Sequence, residues 1–140
     1  MKLSEIKKDV EKYIDQEVTV EGWIRQQRFT KNVGFIELND GTIFKNLQIV
    51  VGKDLENFGD LQKEHLSASL KVVGKLVKTN NAKQAYELQA NKVEVLGHSD
   101  EKFPIQKQKQ SLEYMRTIPH LRVRTNTYRA VFRLRSKLAY

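Results

Sequence analysis

The chain opens with apolar side chains at helical spacing. Between positions 3 and 14 these side chains fall on one helical stripe, and charged side chains occupy the rest of the surface. Ser4 stands where an N-cap is expected, and Glu5 lies in the first turn, where a carboxylate complements the helix dipole. We therefore predict a helix over 4–14. Its apolar stripe consists of Leu3, Ile6, Val10, Tyr13 and Ile14.

After this segment the apolar period changes to two. Alternation over 18–25 predicts a first strand with one buried face, and Gly22 inside it indicates a bend or a bulge. The patterns that follow predict, in order, a loop over 29–33, a strand over 34–39, a turn over 39–41, a strand over 43–51, a short helix over 54–65, a strand over 68–78, a polar loop over 79–84 and a strand over 85–96.

The order of the predicted elements indicates a fold. Three strands, a helix and two further strands form the element order of an OB fold, a small barrel whose sheet face and loops bind oligonucleotides. An apolar stripe over 126–140, with Thr125 or Asn126 as cap, adds a C-terminal helix. We predict a mainly β protein: a five-stranded OB-fold barrel with an N-terminal helix, a helix between strands 3 and 4, and a C-terminal helical extension.

Charge is distributed unevenly along the chain. The formal net charge is +8, but residues 1–101 carry −1 and residues 102–140 carry +9. The composition changes at Lys102-Phe103-Pro104, and proline disfavours a helix at the residue before it. We therefore expect an OB-fold domain over 1–101 and a second segment over 102–140.

Two side chains on neighbouring strands are candidates for contact with a nucleic-acid base. Alternation places Phe35 and Gln48 on the outer sheet face, because their strand neighbours are the natural core residues. An exposed ring can stack on a base, and a carboxamide can pair with the edge of a uridine. The carboxamide can also turn to suit cytosine, so a second group must fix the choice. Packing beneath a loop or a helix is the alternative for Phe35.

Four basic side chains lie close to these two residues in the predicted barrel. They either contact a pyrimidine carbonyl or phosphate, or they form a solvated rim that suppresses edge-to-edge association. The pattern alone leaves both interpretations open. The four residues are Arg25, Arg28, Lys31 and Lys45.

Three sequence runs carry a resemblance to a known family. They read VTVEGWIR from Val18, GFIELNDG from Gly34 and FKNLQIV from Phe44. Together with Arg28 they resemble the anticodon-binding domain of the class II synthetases for asparagine, aspartate and lysine, and the second and third runs are most similar to the bacterial asparaginyl enzymes.

The resemblance implies roles for individual residues. It implies that Phe35 stacks on the central uridine of the anticodon, that Gln48 reads the edge of this uridine and that Arg28 assists. It also implies that Glu87 faces the anticodon, and that Trp23 is structural. The anticodon-binding set expected from the sequence is therefore Phe35, Gln48, Arg28, Arg25 and Glu87.

The tail extends the resemblance over nearly the whole chain. Residues 111–127 and 131–140 resemble the hinge and the beginning of the first class II motif. The resemblance implies that the predicted C-terminal helix over 126–140 lies in a homodimer interface. It also implies that the enzyme joins asparagine to tRNA with ATP and Mg²⁺ through motifs beyond Tyr140. We therefore expect no catalytic residue, cofactor site or metal site in this chain, and no activity from it alone. The many arginines of residues 102–140 either form salt bridges with a domain that is absent here, or they contact RNA.

Composition excludes several other functions. The chain has no cysteine, so it has no disulfide and no thiolate metal site, and its three histidines are scattered. No apolar run approaches the about 20 residues that a membrane helix needs, so we expect no membrane partner and a cytoplasmic protein. Three alternatives remain: the aspartyl member of the same family, a free-standing OB module for single strands, and a protein-association module.

Overall fold

The structure is a computed structural model that describes residues 1–81 and 83–140. The chain divides into two compact units, Met1–Glu101 and Lys102–Tyr140. The first unit contains α1 (Leu3–Lys8), α2 (Val10–Tyr13), β1 (Glu17–Phe29), β2 (Val33–Asn39), β3 (Leu47–Gly52), α3 (Phe58–Lys63), β4 (Ser69–Asn81) and β5 (Gln84–Gly97). The second contains α4 (Leu112–Thr117), a 3-10 turn (Arg122–Arg124) and α5 (Asn126–Ala139).

The five strands of the first unit close into a barrel in the order β1-β2-β3-β5-β4. All neighbouring strands are antiparallel except β3 and β5, which pair in parallel. The prediction of a mainly β OB-fold barrel, with its N-terminal helix, its helix between the third and fourth strands and its C-terminal helix, is confirmed. Alternate apolar residues of the strands fill the interior, and its largest fully buried side chains include Ile24, Ile36, Leu38, Ile49, Leu70, Leu76 and Leu88.

A β-bulge at Arg25 changes which residues of β1 face the core. The register with β2 shifts between Ile24 and Gln26, so one residue of β1 has no partner. Even-numbered residues face inward before the bulge, whereas Phe29 packs against the core after it. The irregularity was predicted at Gly22, where the structure instead shows close packing, because a Cβ there would lie 2.8 Å from the carbonyl oxygen of Asn39.

The N-terminal helix is confirmed, but its cap was predicted wrongly. α1 begins at Leu3 rather than after Ser4, so Ser4 lies inside the helix. The amide N–H of Leu3 donates to Oδ2 of Asp40 at 2.8 Å, and that of Ser4 donates to Oγ1 of Thr42 at 3.1 Å. Side chains from the β2–β3 loop therefore satisfy the free donors of the helix. The helix is also broken at Asp9, whose φ of −133° and ψ of 53° lie outside the helical region.

The loop over residues 40–46 is longer than predicted. β3 begins at Leu47 instead of residue 43, although its inward face of Leu47, Ile49 and Val51 is as expected. The side chain of Asn39 is the cause, since Nδ2 donates to the carbonyls of Ile43 and Lys45 at 3.2 and 3.3 Å. These bonds hold the segment in a compact loop that cannot pair as a strand.

Three other boundaries differ from the predictions. The first strand continues to Phe29, so the predicted loop at 29–33 shortens to three residues. The helix predicted over 54–65 is limited to Phe58–Lys63. The polar segment over 79–84 mostly continues the β4–β5 hairpin, in which Asn81 pairs with Gln84. Within that segment Ala82 lies outside the described residues.

The second unit is helical, as predicted for its end. α5 follows Thr125 as expected, but the Thr125 hydroxyl donates to the carbonyl of Arg122 at 2.6 Å instead of capping the helix. Tyr128 and Phe132 stack one turn apart, with ring centroids 6.2 Å apart, and the guanidinium of Arg122 lies 4.9 Å from the Tyr128 ring centroid. Arg122 of the 3-10 turn therefore contacts both rings of α5.

Gly74 is required by the close approach of β4 to β5. A Cβ at Gly74 would overlap the carbonyl oxygen of Gln89, which belongs to the backbone and cannot turn away. We expect Gly74→Ala to lower the free energy of unfolding by about 1–3 kcal/mol in urea denaturation. Gly59→Ala is the control, because no atom lies within 4 Å of its added Cβ and alanine favours the helix. Equal stability of Gly74→Ala and the parent would contradict the expected overlap.

Candidate nucleic-acid interface

The outer face of the β1–β2–β3 sheet presents Phe35. Its neighbour Ile36 is fully buried, whereas the Phe35 ring is half-buried on the opposite side of β2. Phe35 pairs with Arg28 of β1 and with Val50 of β3. The ring therefore lies in the middle of three strands and outside the barrel interior.

Arg28 lies directly against this ring. Its guanidinium carbon is 5.3 Å from the centroid of the Phe35 ring, a distance typical of a cation–π contact. The Arg25 bulge makes the contact possible, because without it the two-residue alternation would turn Arg28 toward the core. A planar guanidinium on an aromatic ring offers a nucleobase a second flat surface for stacking.

Gln48 shares the outer face with Phe35. It is half-buried on β3 between the buried residues Leu47 and Ile49, and it pairs with Glu37 of β2. Phe35 and Gln48 are therefore diagonal neighbours across the β2–β3 pair, a relation that separates Cα atoms by about 7–8 Å. A base stacked on the ring would lie within reach of the carboxamide.

Glu87 joins the group from β5. Its Oε2 accepts a hydrogen bond of 3.0 Å from Nε2 of Gln48. The contact crosses the parallel β3–β5 pair, where Ile49 lies opposite Leu88 and both residues face the core. Glu87 and Gln48 therefore both point outward. Of the five residues predicted from the sequence, the structure forms two contacting pairs, Arg28 with Phe35 and Gln48 with Glu87, and places Arg25 at the bulge.

Sequence reasoning did not assign a role to Glu37. This residue lies on the outer face between Gln26 and Gln48, and its Oε2 accepts a hydrogen bond of 2.8 Å from Nδ2 of Asn46. The alternation that places Phe35 on the outer face also places Glu37 there, so the sequence pattern did indicate this position. Glu37 is therefore a second carboxylate beside Gln48, and the Asn46 side chain of the β2–β3 loop holds this carboxylate.

The remaining basic candidates are exposed at the edges of this face. Lys31 lies in the short β1–β2 loop, and Lys45 lies in the β2–β3 loop. On β5, burial raises the pKa of the Tyr86 phenol, whose ring packs against the core next to the outward Glu87.

Within residues 1–81 and 83–140, no cluster of three His, Cys, Asp or Glu side chains is arranged to bind a metal ion. No helix in the described part of the chain is long and apolar enough to cross a membrane.

Two curated proteins that are similar to this chain over nearly its whole length are asparagine–tRNA ligases. An asparagine–tRNA ligase of Clostridium tetani is 50% identical over 138 residues, which are 99% of this chain and 30% of that protein. An asparagine–tRNA ligase of Bacillus cytotoxicus is 50% identical over 133 residues, which are 95% of this chain and 29% of that protein. The chain thus spans about 30% of the length of these ligases.

A solved structure supports the fold, and a family model identifies the domain. The asparaginyl-tRNA synthetase of Pyrococcus horikoshii, complexed with asparaginyl-adenylate, superposes with a TM-score of 0.84 at 24% identity, over 99% of this chain and 32% of that one. The model of the tRNA anti-codon family, described as an OB-fold nucleic acid binding domain, matches residues 18–96. Since this match covers more than half of the chain and coincides with the barrel, the protein belongs to that family of OB-fold nucleic acid binding domains.

Proposed function

We propose that this chain recognises the anticodon of asparagine tRNA as part of an asparagine–tRNA ligase. The observation that carries the proposal is the outer sheet face on which the Arg28–Phe35 cation–π pair lies diagonally beside the Gln48 carboxamide. The relatives at about 50% identity support the amino acid, because they are named as asparagine–tRNA ligases.

Recognition on this face would combine stacking with hydrogen bonding. A splayed-out base that stacks on the Phe35 ring, or on the guanidinium that covers it, gains about 1–3 kcal/mol. Gln48 would then donate to a carbonyl oxygen of the same base and accept its N3–H, which is the pattern of a uridine. Arg25 and Arg28 would supply positive charge for phosphate or for a pyrimidine carbonyl. The face binds and orients the RNA, and the residues proposed for it carry out no covalent step.

Binding to RNA hairpins tests the proposal. We expect the chain to bind a hairpin carrying the asparagine anticodon loop about five- to 150-fold more tightly than the same hairpin with an adenosine at the central position, since one lost base contact costs about 1–3 kcal/mol. Fluorescence anisotropy at one stated salt concentration measures both affinities. Stated salt matters because phosphate contacts make every affinity depend on it.

Equal affinity for the two hairpins and for an unrelated single strand would contradict the proposal. It would instead indicate a free-standing OB module, whose salt dependence should fall sharply when residues 102–140 are removed. Tighter binding of the aspartate anticodon loop than of the asparagine loop, which shares its central uridine, would leave the family intact and indicate the aspartyl member. Concentration-dependent association without RNA binding would favour a protein-association module.

We propose that the two units correspond to two domains of the ligase. Residues 1–101 would form the anticodon-binding domain, and residues 102–140 would form the hinge and the start of the class II catalytic domain, with α5 contributing to a homodimer interface. The many arginines of this segment would then mostly pair with the rest of that domain. Burial and the nearby Arg133 lower the pKa of Arg129, which lies on this cationic helix.

The complete ligase would join asparagine to tRNA with ATP and Mg²⁺. This chemistry requires cations that stabilise the charge on a transferring phosphate, held beside the amino acid. The candidate residues on the outer sheet face are a ring, carboxamides, carboxylates and two arginines, and they suit base recognition better than adenylate formation. We therefore propose that the 140-residue chain alone is inactive. The proposed compartment is the cytoplasm, where a ligase of this kind meets its tRNA.

A further inference from the structure

A carboxamide cannot by itself distinguish uridine from cytidine. Uridine presents an N3–H donor between two carbonyl acceptors, whereas cytidine presents a bare N3 acceptor beside an amino donor. A half-turn of the terminal torsion exchanges the nitrogen and the oxygen of a glutamine side chain, which then suits the other base. A site that recognises a base through a glutamine therefore needs a second group that keeps the amide in one orientation.

The Glu87 carboxylate provides such a group for Gln48. It accepts from Nε2 of Gln48 at 3.0 Å. An ionised carboxylate has only acceptors, so a turned amide would place Oε1 against another oxygen with no proton between them. The carboxylate thus fixes the nitrogen of Gln48 on the β5 side and leaves one N–H and the oxygen for a base.

The carboxylate on the opposite side does not reverse this preference. Glu37 faces Gln48 from β2 in direct register, but its Oε2 is held by Nδ2 of Asn46 at 2.8 Å. The N–H of Gln48 is directed to β5 instead. Each carboxylate therefore has its own amide donor, and the orientation of Gln48 is set by Glu87.

We propose that Glu87 is a positioning residue that restricts Gln48 to uridine and rejects cytidine. The proposal rests on the anticodon-binding function proposed above and specifies how one base is chosen. Stacking on Phe35 holds the ring of the base in one place, with its N3 opposite Oε1 of Gln48. In that place the N3–H of uridine is accepted, whereas the N3 lone pair of cytidine meets the oxygen and repels it. Glu87 acts through the amide and needs no contact with the RNA.

Glu87→Gln is the variant that tests this role. The replacement has almost the same size but can either donate or accept, so Gln48 can turn freely. Binding is measured with two hairpins that differ only in a central uridine or cytidine. We expect the parent to prefer uridine by about tenfold or more, and Glu87→Gln to bring the two affinities within about threefold of each other, mainly by tighter binding of cytidine. Glu87→Ala should relax the preference in the same direction.

Glu94→Gln is the matched control. Glu94 is an exposed glutamate of the same strand, opposite Lys71, and its loss removes the same charge away from Gln48. We expect it to keep the preference of the parent. Thermal melting of each variant shows whether it remains folded.

The Gln48→Ala background separates positioning from direct contact. There the parent carboxylate has no amide to hold, so adding Glu87→Gln should leave the ratio of uridine to cytidine affinity unchanged. A ratio that still changes would overturn the proposal, because Glu87 would then contact the base itself. A parent preference that survives both Glu87 variants would also overturn it while leaving the proposed function intact. A parent without any preference for uridine would overturn the proposed function and this inference together.

Discussion

Phe35→Ala should weaken binding of the asparagine anticodon hairpin by about 1–3 kcal/mol, which is roughly five- to 150-fold in the dissociation constant. The loss has two physical sources. The base loses the ring on which it stacks, and the Arg28 guanidinium, whose carbon lies 5.3 Å from that ring's centroid, loses its cation–π partner. Fluorescence anisotropy titrations at fixed salt measure the change.

Two conservative variants make this experiment specific for stacking. Phe35→Tyr keeps the ring and should retain most of the affinity, whereas Phe35→Leu keeps apolar area without a π face and should lose nearly as much as alanine. Leu96→Ala removes an exposed apolar side chain near the far end of β5 and should bind as the parent does. If Phe35→Ala and Gln48→Ala both bind the hairpin as tightly as the parent, the RNA does not use this face.

Asn39→Ala should be among the most destabilising single changes in the barrel, at about 2–4 kcal/mol of unfolding free energy. The side chain is 3% exposed, its Nδ2 lies within hydrogen-bond distance of three acceptors that share its two N–H groups, and its Oδ1 accepts from the N–H of Gly41. Its loss removes the Nδ2 donor of the Ile43 and Lys45 carbonyls and the Oδ1 acceptor of the Gly41 N–H. The loop that it organises also satisfies the first N–H groups of α1, so the damage should reach the helix.

Urea denaturation followed by circular dichroism measures this change. Asn80→Ala is the control, because Asn80 is exposed at the end of β4, where a substitution typically changes stability by no more than about 0.5 kcal/mol. A similarly small change for Asn39→Ala would show that the loop holds its shape without this side chain.

The architecture of the barrel was predictable because each strand has one buried face. Alternation assigned Val20, Ile36 and Ile49 to the interior, and all three are fully buried. Two of the errors arose where a side-chain hydrogen bond outside the regular strand or helix pattern determines a boundary. Asn39 keeps residues 43–46 out of β3, and the loop side chains Asp40 and Thr42 replace Ser4 at the start of α1. A local pattern contains no information about such contacts.

In the candidate interface, the outward direction of single side chains was predictable, but their contacts with side chains of other strands were not. The outward positions of Phe35 and Gln48 follow from alternation within one strand each, and both lie on the outer face. The Gln48–Glu87 hydrogen bond joins residues 39 positions apart across a parallel strand pair, and no local pattern specifies that pairing. The Arg28–Phe35 contact depends on the bulge, which the sequence indicated three residues too early.

The bulge at Arg25 also determines how related sequences should be compared. Between the bulge and the β1–β2 hairpin, the number of residues counted from the hairpin determines whether a side chain faces inward or outward. The number counted from Gly22 does not, because the bulge adds one residue. A relative with one residue fewer before Phe29 would, if aligned without a gap from the start of the strand, match an inward residue to Arg28. Equivalent RNA-facing positions should therefore be counted backward from the hairpin, and the gap belongs at residue 25.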